Sequence, residues 1–376
     1  MTLRGSFGSP APEERGRQTR GMLEARSLRK AVVPASLFRD PSPGNIQSTR
    51  LALNVNDGGS SCSVYIASGC RVYKIEISME NSVITKGKES LIIPVNAEVI
   101  HSSAVDRCPH RSEIQSLVLT EGGDNCLIMG TVDCYGHLIV SQLDAVGSVI
   151  DRLSYSVLPR DCGIGEGSWA GICFSPAHWS TVAVARSFCK SIDVYDQDIH
   201  IKSLQTLWYP ASLSFFDNPH YEGHSSVLAV AEGSQLTIWD LRTNQNGGCV
   251  QRVCGSIGDL IYSLCSSPSG TIAVGGSDRT VTIYDPRRWS AISRWVNCSK
   301  YEITGLYFST IDSDYIYIQG VDYEVICGTW KEGRKAFSFR GDSNWLGFSK
   351  CANADVLAGW CDSGSIFVAD VVEEHS

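Results

Sequence analysis

Short apolar stretches separated by polar turns recur along the chain from about residue 46 onward. Each unit has a first apolar strand, a second strand that ends in small residues, and a third strand that ends in an aromatic residue followed by an acid. The clearest unit runs from Ile261 to Asp285, and the unit before it ends in Trp239 and Asp240. Short apolar runs bounded by turn residues indicate strands rather than helices. The pattern therefore predicts an all-β protein built from repeated units.

The units recur at a nearly constant spacing. The acids that close three consecutive third strands, Asp196, Asp240 and Asp285, lie 44 and 45 residues apart, and Asp370 lies 85 residues further on. Periods of ~40–45 residues with four strands per unit are typical of the blades of a β-propeller. With two weaker copies near the start, the sequence contains seven such units, which is enough to close a ring. We therefore predict a seven-bladed β-propeller.

Each blade also needs a fourth, outer strand. The fourth strands of the first six blades are expected at residues 90–96, 152–158, 204–210, 250–255, 291–298 and 335–340. The seventh unit ends at Asp370 without room for one, so the apolar segment 28–38 is expected to supply it and to cover the open sheet edge. The predicted domain spans residues 27–372, with 27–38 as the closing strand of the last blade. Residues 1–26 are polar and basic, and we expect them to form a disordered tail.

Composition and charge narrow the possible functions. The chain has 376 residues and a formal net charge of −8, which argues against direct binding of nucleic acid. No run approaches the ~20 apolar residues that a transmembrane helix needs. Fifteen cysteines are scattered through strand-like runs without a Cys-x-x-Cys pair. We therefore expect reduced thiols in the core of a cytoplasmic and/or nuclear protein.

The ends of the third strands carry a family resemblance. Trp239-Asp240 is a Trp-Asp dipeptide at this position, and Tyr195-Asp196 and Tyr284-Asp285 are close substitutes. Over residues 28–370 the chain resembles the WD40-repeat family, which implies seven blades closed by an N-terminal strand. The acids that fit the family's position between second and third strands are Asp133, Asp278, Asp322 and Asp362. The family's Gly-His pair is missing from almost every unit, so we expect its buried His-Ser-Trp-Asp hydrogen-bond relay to be incomplete.

Few motifs point to catalysis or to a bound cofactor. Residues 165–170 match the G-x-G-x-x-A pattern of dinucleotide sites, but a strand rather than a helix follows them. The pairs Cys108/His110 and His220/His224 lack a second pair of ligands at a spacing that suits a metal ion. We therefore expect no cofactor, no metal and no catalytic residues.

One motif points to a specific partner. Residues 272–287 resemble the box with which WD40 substrate receptors bind the adaptor of cullin-type ubiquitin ligases, although Val274 stands where the box prefers a small residue. The preceding unit repeats the ending of the box, with Gly233 at the position of its Asp. An Arg in this ending offers an adaptor a planar fork of hydrogen-bond donors. The resemblance implies that the adaptor-binding residues are Trp239, Asp240, Arg242, Tyr284, Asp285 and Arg287.

The opposite face of the ring is a second candidate surface. It is formed by the connections that enter first strands and by the turns between second and third strands. Aromatic side chains among charges are typical anchors of protein interfaces. The candidate residues on this face are Trp169, Asp278, Arg279, Tyr301, Trp345 and Asp362.

Three functions remain open from the sequence. It favours a non-catalytic protein-interaction scaffold that serves as a subunit or adaptor of a multiprotein complex. A substrate receptor of a cullin-type ubiquitin ligase is the alternative, and a propeller enzyme is a remote one. The expected partners are other proteins, with a cullin-ligase adaptor among the candidates, and no membrane, nucleic acid or small-molecule substrate is expected.

Overall fold

The computed structural model of the protein describes most of the chain. The described residues are 22–34, 37, 46–56, 58–80, 84–105, 108–122, 126–143, 152–159, 161, 168–216, 226–256 and 258–374. The expectations for residues 1–21, Phe38, residues 165–167, His220 and His224 fall outside them.

Seven antiparallel sheets form the blades of the ring, which confirms the predicted fold. Blade 1 contains β2 (Leu51–Val55), β3 (Ser61–Ser68), β4 (Arg71–Ser78) and β8 (Val99–Ala104). Blade 2 contains β9 (Ile114–Glu121), β10 (Leu127–Asp133), β11 (Leu138–Leu143) and β12 (Arg152–Val157). Blade 3 contains β13 (Ala170–Phe174), β14 (Thr181–Arg186), β15 (Ser191–Asp196) and β16 (Ile199–Gln205). Blade 4 contains β17 (Pro210–Phe216), β18 (Val227–Glu232), β19 (Gln235–Asp240) and β20 (Cys249–Cys254).

The remaining blades follow the same order. Blade 5 contains β21 (Ile261–Ser266), β22 (Ile272–Gly276), β23 (Val281–Asp285) and β24 (Ser290–Trp295). Blade 6 contains β25 (Ile303–Phe308), β26 (Tyr315–Gly320), β27 (Glu324–Thr329) and β28 (Arg334–Arg340). Blade 7 contains β29 (Trp345–Lys350), β30 (Val356–Cys361), β31 (Ser365–Glu373) and, as its fourth strand, β1 (Leu23–Val32). Short 3-10 helices lie at Lys88–Ser90 and Gln245–Gly248.

The core lies between the blades rather than within any one of them. First strands of neighbouring blades contact one another, so they line the axis of the ring. Seven apolar clusters fill the seven junctions between consecutive blades. Second and third strands are buried along almost their whole length, as in β18 and β19, whereas outer strands such as β16 alternate between buried and exposed positions. Each blade is therefore stabilised mainly by its neighbours.

The N-terminal strand closes the last blade, as predicted. β1 pairs antiparallel with β31, from Leu23 opposite Glu373 to Val32 opposite Ser365. The strand begins at Leu23, inside the segment 1–26 that was expected to be a tail, because Leu23 and Ala25 are buried in the junction with blade 6. It ends before Pro34, which has no N–H to donate to the sheet.

Two outer strands differ from the prediction. The fourth strand of blade 1 is β8, and residues 90–96 belong to other sheets. The fourth strand of blade 3 is β16, about five residues earlier than expected, because only Gln197 and Asp198 connect it to β15. Gln197 has a φ of 54°, and this left-handed conformation makes so tight a turn possible. Residues 206–209 consequently form a connection instead of a strand.

The long connection between β4 and β8 crosses the outside of blades 7 and 6. Its described residues are 79, 80 and 84–98, which we call the strap. It contains β5 (Thr85–Lys86), β6 (Leu91–Ile93) and β7 (Val95–Asn96). β6 pairs in parallel with β28, and β7 pairs in parallel with β1. The buried guanidinium of Arg29 in β1 donates to the carbonyl of Met79, so the strap and the closing strand are tied together.

Candidate protein-interaction surfaces

Two faces of the ring carry all the candidate residues. The upper face comprises the connections from fourth strands into the next first strands and the turns between second and third strands. The lower face comprises the turns between first and second strands and those between third and fourth strands. An antiparallel blade places these two sets of turns at its opposite ends.

An exposed apolar cluster stands on the upper face at blades 3 and 4. We call its four residues the aromatic patch: Phe188, Leu207, Trp208 and Tyr209. Each of these side chains is more than half exposed. The two segments are adjacent because the N–H of Thr206 donates to the carbonyl of Lys190 at 2.9 Å. Lys190 Nζ lies 4.8 Å from the centroid of the Tyr209 ring, which is the distance of a cation–π contact.

A buried carboxylate fixes the backbone under the aromatic patch. Glu232 is 0% exposed, and its Oε2 accepts hydrogen bonds from the N–H of Leu207 at 2.7 Å and of Trp208 at 2.9 Å. Its Oε1 accepts from Thr237 Oγ1 at 2.7 Å, which in turn accepts from Trp239 Nε1 at 2.9 Å. The connection is thus held in one conformation before any partner arrives.

Trp208 also packs closely on the neighbouring turn. Gly233 has a φ of +56°, and a Cβ at this position would lie 2.9 Å from Trp208 Cγ. A side chain here would displace the indole, so glycine is required both by the backbone conformation and by the contact. This explains the Gly233 that departs from the ligase-box pattern.

Sequence reasoning missed the aromatic patch. The run Leu207-Trp208-Tyr209 was assigned to an outer strand, where large apolar residues need no further explanation. The available signal was the position of this run immediately before Pro210, which begins the next first strand. Three large apolar residues in a connection between strands are exposed unless a neighbouring loop covers them.

The other upper-face candidates differ in how far their side chains are buried. Trp169 and Trp345 are buried, and the indole of Trp169 donates to Thr49 Oγ1 at 3.0 Å, so neither offers much surface to a partner. Tyr301 is exposed, with Lys300 Nζ 5.2 Å from its ring centroid. The turn residues Asp278, Arg279 and Asp362 lie on the same face, well separated along the chain from the aromatic patch.

Three of the predicted turn acids accept hydrogen bonds from their own turns, as expected from the spacing. Asp278 Oδ1 accepts from the N–H of Thr280 at 3.1 Å, and Asp322 Oδ1 accepts from the N–H of Glu324 at 3.1 Å. Asp133 Oδ1 accepts two such bonds, at 3.0 Å each. These three carboxylates accept from backbone donors in blades 2, 5 and 6, so they do not converge on a common site.

Blade 2 contains much of the relay that was expected to be incomplete. His110 Nε2 lies 2.8 Å from Thr131 Oγ1, and His110 Nδ1 lies 3.4 Å from Asp133 Oδ2. The residue before His110 is Pro109 rather than Gly, which is why the search for a Gly-His pair missed it. In blade 4 the buried Glu232 replaces the histidine, because it connects Trp239 and Thr237 to the incoming connection.

The electrostatics of the blade 2 cluster favour a charged Asp133 and a neutral His137. Burial by itself raises the pKa of Asp133, but the hydrogen bond and electrostatic attraction of His110, with the N–H groups of His137 and Tyr135, bring it below its usual value. Burial, and then repulsion from His110, lower the pKa of His137.

The lower face presents Arg242 and Arg287 at corresponding positions of blades 4 and 5. The carboxylate of Asp240 accepts from Arg242 Nε at 3.0 Å and from Arg242 Nη2 at 2.9 Å. The hydrogen bond from Arg242 is the main reason that the pKa of Asp240 is lowered. Asp285 Oδ1 accepts only the backbone N–H of Arg287, at 2.9 Å, and the Arg287 side chain is exposed.

The adaptor-box endings of blade 4 and blade 5 therefore differ. Trp239 is 1% exposed and Tyr284 is half-buried, so their rings belong mainly to the core. Arg242 is bound internally by its own strand-end acid. Both arginines are exposed, but the bond described from Arg287 to its strand-end acid uses the backbone N–H and not the guanidinium.

A cavity of about 430 Å³ lies at the lower end of the axis, lined by first strands of blades 3 to 7. Cys173 contributes to it, and burial raises the pKa of this thiol to about 12. Cys265 and Tyr307 also line the cavity, and burial raises the pKa of both. A thiol must ionise to act as a nucleophile, so these groups are poorly suited to nucleophilic catalysis at neutral pH.

Comparison of the sequence with family models and with curated proteins gave no match. The fold therefore carries the assignment. The chain is a seven-bladed β-propeller. Within its described residues no disulfide bond is present, and no helix is long and apolar enough to cross a membrane.

Proposed function

We propose that this propeller is a non-catalytic scaffold of the WD40 type, and that the aromatic patch is its main contact with a protein partner. The observation that carries the proposal is the exposure of Leu207, Trp208 and Tyr209 on a backbone fixed by Glu232. Tryptophan and tyrosine are the residues that most often dominate the binding energy of protein interfaces. The aromatic-acid strand ends of blades 3, 4 and 5 and the turn acids of blades 2, 5 and 6 support the WD40 assignment.

Rigidity strengthens this interpretation. Holding three large apolar residues in water is unfavourable for the isolated protein, and a flexible loop would fold them against the surface. Here a carboxylate that is itself buried keeps the connection in place. A preorganised patch loses little conformational entropy on binding, so more of the interaction energy becomes affinity.

Loss of the patch is expected to abolish binding without unfolding the ring. In the double variant Trp208→Ala/Tyr209→Ala, we expect partner affinity to fall at least about 30-fold, since anchors of this kind contribute 2 kcal/mol or more. Unfolding free energy changes by about 1 kcal/mol or less, because both side chains are largely solvated. The measurement is quantitative mass spectrometry of proteins retained by each purified form, followed by titration of the recovered partner.

The matched control is Tyr323→Ala, which removes an exposed aromatic side chain from the upper face of blade 6. Proteins that bind through the aromatic patch are retained by this control and by the wild type, and are lost from the double variant. If the double variant and the control retain the same proteins at the same affinity, the patch is not the contact surface.

A second candidate function is docking on a cullin-ligase adaptor through the lower face. The local geometry supports it, because Arg242 and Arg287 each follow a third strand by two residues and each donates a backbone N–H to the strand-end acid. Such a protein would carry its substrate on one face and the ligase on the other. The aromatic patch would then be the substrate-binding surface.

Arg287 and Arg242 are expected to respond differently to replacement. Arg287→Ala reduces adaptor binding about tenfold or more, as expected for loss of a charge-assisted hydrogen bond, and leaves stability unchanged. Arg242→Ala also lowers stability by about 1 kcal/mol, because the mostly buried Asp240 loses its partner. Arg288→Ala, which removes an adjacent exposed arginine, is the control in adaptor pull-downs. An adaptor that the wild type does not retain would eliminate this candidate.

A further inference from the structure

Three potential metal ligands converge in blade 2, apart from the aromatic patch and from the arginines of the lower face. They are His110 from the connection before β9, Asp133 at the end of β10 and His137 from the turn before β11. Their nearest ligand atoms all lie within 4.8 Å of one another. The His110 side chain is fully buried, and those of Asp133 and His137 are 3% and 15% exposed.

The two histidines present the same ring atom to the same carboxylate oxygen. His110 Nδ1 lies 3.4 Å from Asp133 Oδ2, and His137 Nδ1 lies 3.8 Å from it. Two ligands bound to zinc at 2.0–2.1 Å in tetrahedral geometry are separated by roughly 3.3 Å. The two histidine–aspartate separations are therefore close to those of a zinc site, and the third pair of ligand atoms lies within 4.8 Å.

The outer nitrogen of each histidine is already oriented. His110 Nε2 lies 2.8 Å from Thr131 Oγ1, and His137 Nε2 lies 2.7 Å from Ser156 Oγ. Metal-ligating histidines usually make such a hydrogen bond through the second ring nitrogen, which fixes the tautomer and aims the other nitrogen at the metal. The remaining oxygen of Asp133 is held by the backbone N–H groups of Tyr135 and His137.

The hydrogen-bond relay of blade 2 does not account for His137. The relay needs only His110 between Thr131 and Asp133, whereas the His137 ring adds a second imidazole with its centroid 5.2 Å from that of His110. Both imidazoles are mostly buried and lie beside the same carboxylate oxygen of Asp133. A divalent ion held between the three side chains would account for the position of His137.

We propose that His110 Nδ1, His137 Nδ1 and Asp133 Oδ2 bind a zinc ion. Two imidazoles and one carboxylate are a ligand set that zinc accepts, with one coordination position left for a water molecule or another ligand. The bound ion ties the connection entering blade 2 to the turn between β10 and β11. Its role here is to stabilise the blade, and it lies apart from the aromatic patch.

The test uses the full chain after removal of metal with a chelator. One equivalent of zinc is expected to bind in calorimetry and to raise the melting temperature, whereas magnesium has no effect. His137→Gln removes one ligand but keeps the backbone N–H that Asp133 requires, so the fold is retained. We expect zinc affinity to fall more than 100-fold in this variant and about 10- to 100-fold in Ser156→Ala.

The matched control is His200→Gln in blade 3. His200 also lies beside a carboxylate and a serine, Asp193 and Ser203, but without a third ligand. Zinc affinity is expected to be unchanged by this substitution. Cobalt in place of zinc should give the visible spectrum of a tetrahedral site with nitrogen and oxygen ligands.

Three outcomes overturn the proposal. Wild-type protein that takes up no zinc excludes the site without any variant. Binding that survives His137→Gln but is lost in His200→Gln places the ion elsewhere. A cobalt–thiolate absorption band would assign the ion to a cysteine, such as Cys108, whose Sγ lies 3.0 Å from Thr131 Oγ1.

Discussion

Deleting residues 1–32 should lower the melting temperature by roughly 10 °C, whereas deleting residues 1–21 should leave it nearly unchanged. The longer deletion removes β1 and with it the buried Leu23 and Leu28, each of which contributes ~1.5–3 kcal/mol when fully buried. It also exposes the edge of β31 and removes the strand to which the strap is paired. The shorter deletion stops one residue before Met22 and removes none of the contacts described for β1.

Charged groups add to the closing strand. Lys30 Nζ lies 2.8 Å from Asp342 Oδ2, and Arg26 Nε donates to Asp370 Oδ2 at 2.9 Å. Both acids belong to blade 7, so the strand is held by side chains as well as by the sheet. The measurement is thermal unfolding of both truncated forms and of the full chain, followed by circular dichroism. Equal melting temperatures for the two truncations would show that β1 contributes nothing to ring closure.

Asp355→Ala should lower the free energy of unfolding by about 3–5 kcal/mol, the usual result of removing one partner from a buried ion pair. Asp355 lies at the junction of blades 6 and 7, and its carboxylate accepts from the N–H of Thr310 at 2.7 Å and from the hydroxyl of Tyr317 at 2.8 Å. Lys350 Nζ lies 3.1 Å away, and both charged side chains are almost completely buried. Removal of the carboxylate leaves the buried ammonium group of Lys350 without its counter-ion. It also leaves the N–H of Thr310 and the hydroxyl of Tyr317 without this acceptor.

The same carboxylate makes stability depend on pH. Burial alone raises the pKa of Asp355, but Lys350 and the hydrogen bonds bring it below the ordinary value of 3.8. The stabilisation is therefore fully present above the pKa of the unfolded chain and is lost as the pH falls through the lower pKa of the folded protein. We expect the wild type to lose this contribution below about pH 4, and the Asp355→Ala variant to lack it at every pH.

Asp314→Ala provides the control for Asp355. Asp314 forms an ion pair with Lys331 at 2.7 Å in blade 6, but the lysine side chain is more than half exposed. Surface pairs of this kind contribute about 1 kcal/mol or less. Chemical denaturation of the two variants at neutral pH and in mild acid separates the effects. A loss of stability for Asp355→Ala no greater than that for Asp314→Ala would contradict the assigned role.

The sequence was sufficient to predict the ring of seven blades and the positions of most strands. The 44- and 45-residue spacing of Asp196, Asp240 and Asp285 reflects a repeated packing requirement, because every blade contacts its neighbours through the same strands. The presence of a closing N-terminal strand could also be predicted, since an incomplete last blade requires a fourth strand from elsewhere, but the strand lies at residues 23–32 instead of 28–38. These features depend on patterns that recur or on a strand that must be paired.

Features that depend on contacts between distant residues could not be predicted. The strap was assigned to blade 1 because its apolar residues follow β4, whereas β6 and β7 pair with strands that are distant in sequence. The aromatic patch could not be predicted because it depends on the two-residue turn between β15 and β16. This short turn makes β16 end at Gln205, so Trp208 lies in an exposed connection. The role of Glu232 is visible only when Thr237 and the connection at Leu207 are seen on either side of it.

The pairing of β1 with β31 has a consequence for synthesis on the ribosome. Arg26 and its partner Asp370 are separated by 344 residues, so at ~5–20 residues per second roughly 20–70 s pass between the emergence of the two strands. During this interval the nascent chain carries an unpaired β-edge with apolar residues on one side. The strap is translated early, and in the folded ring its β7 pairs with Arg29 and Lys30 on the edge of β1 opposite to β31. Ring closure therefore cannot occur until β31 has been synthesised.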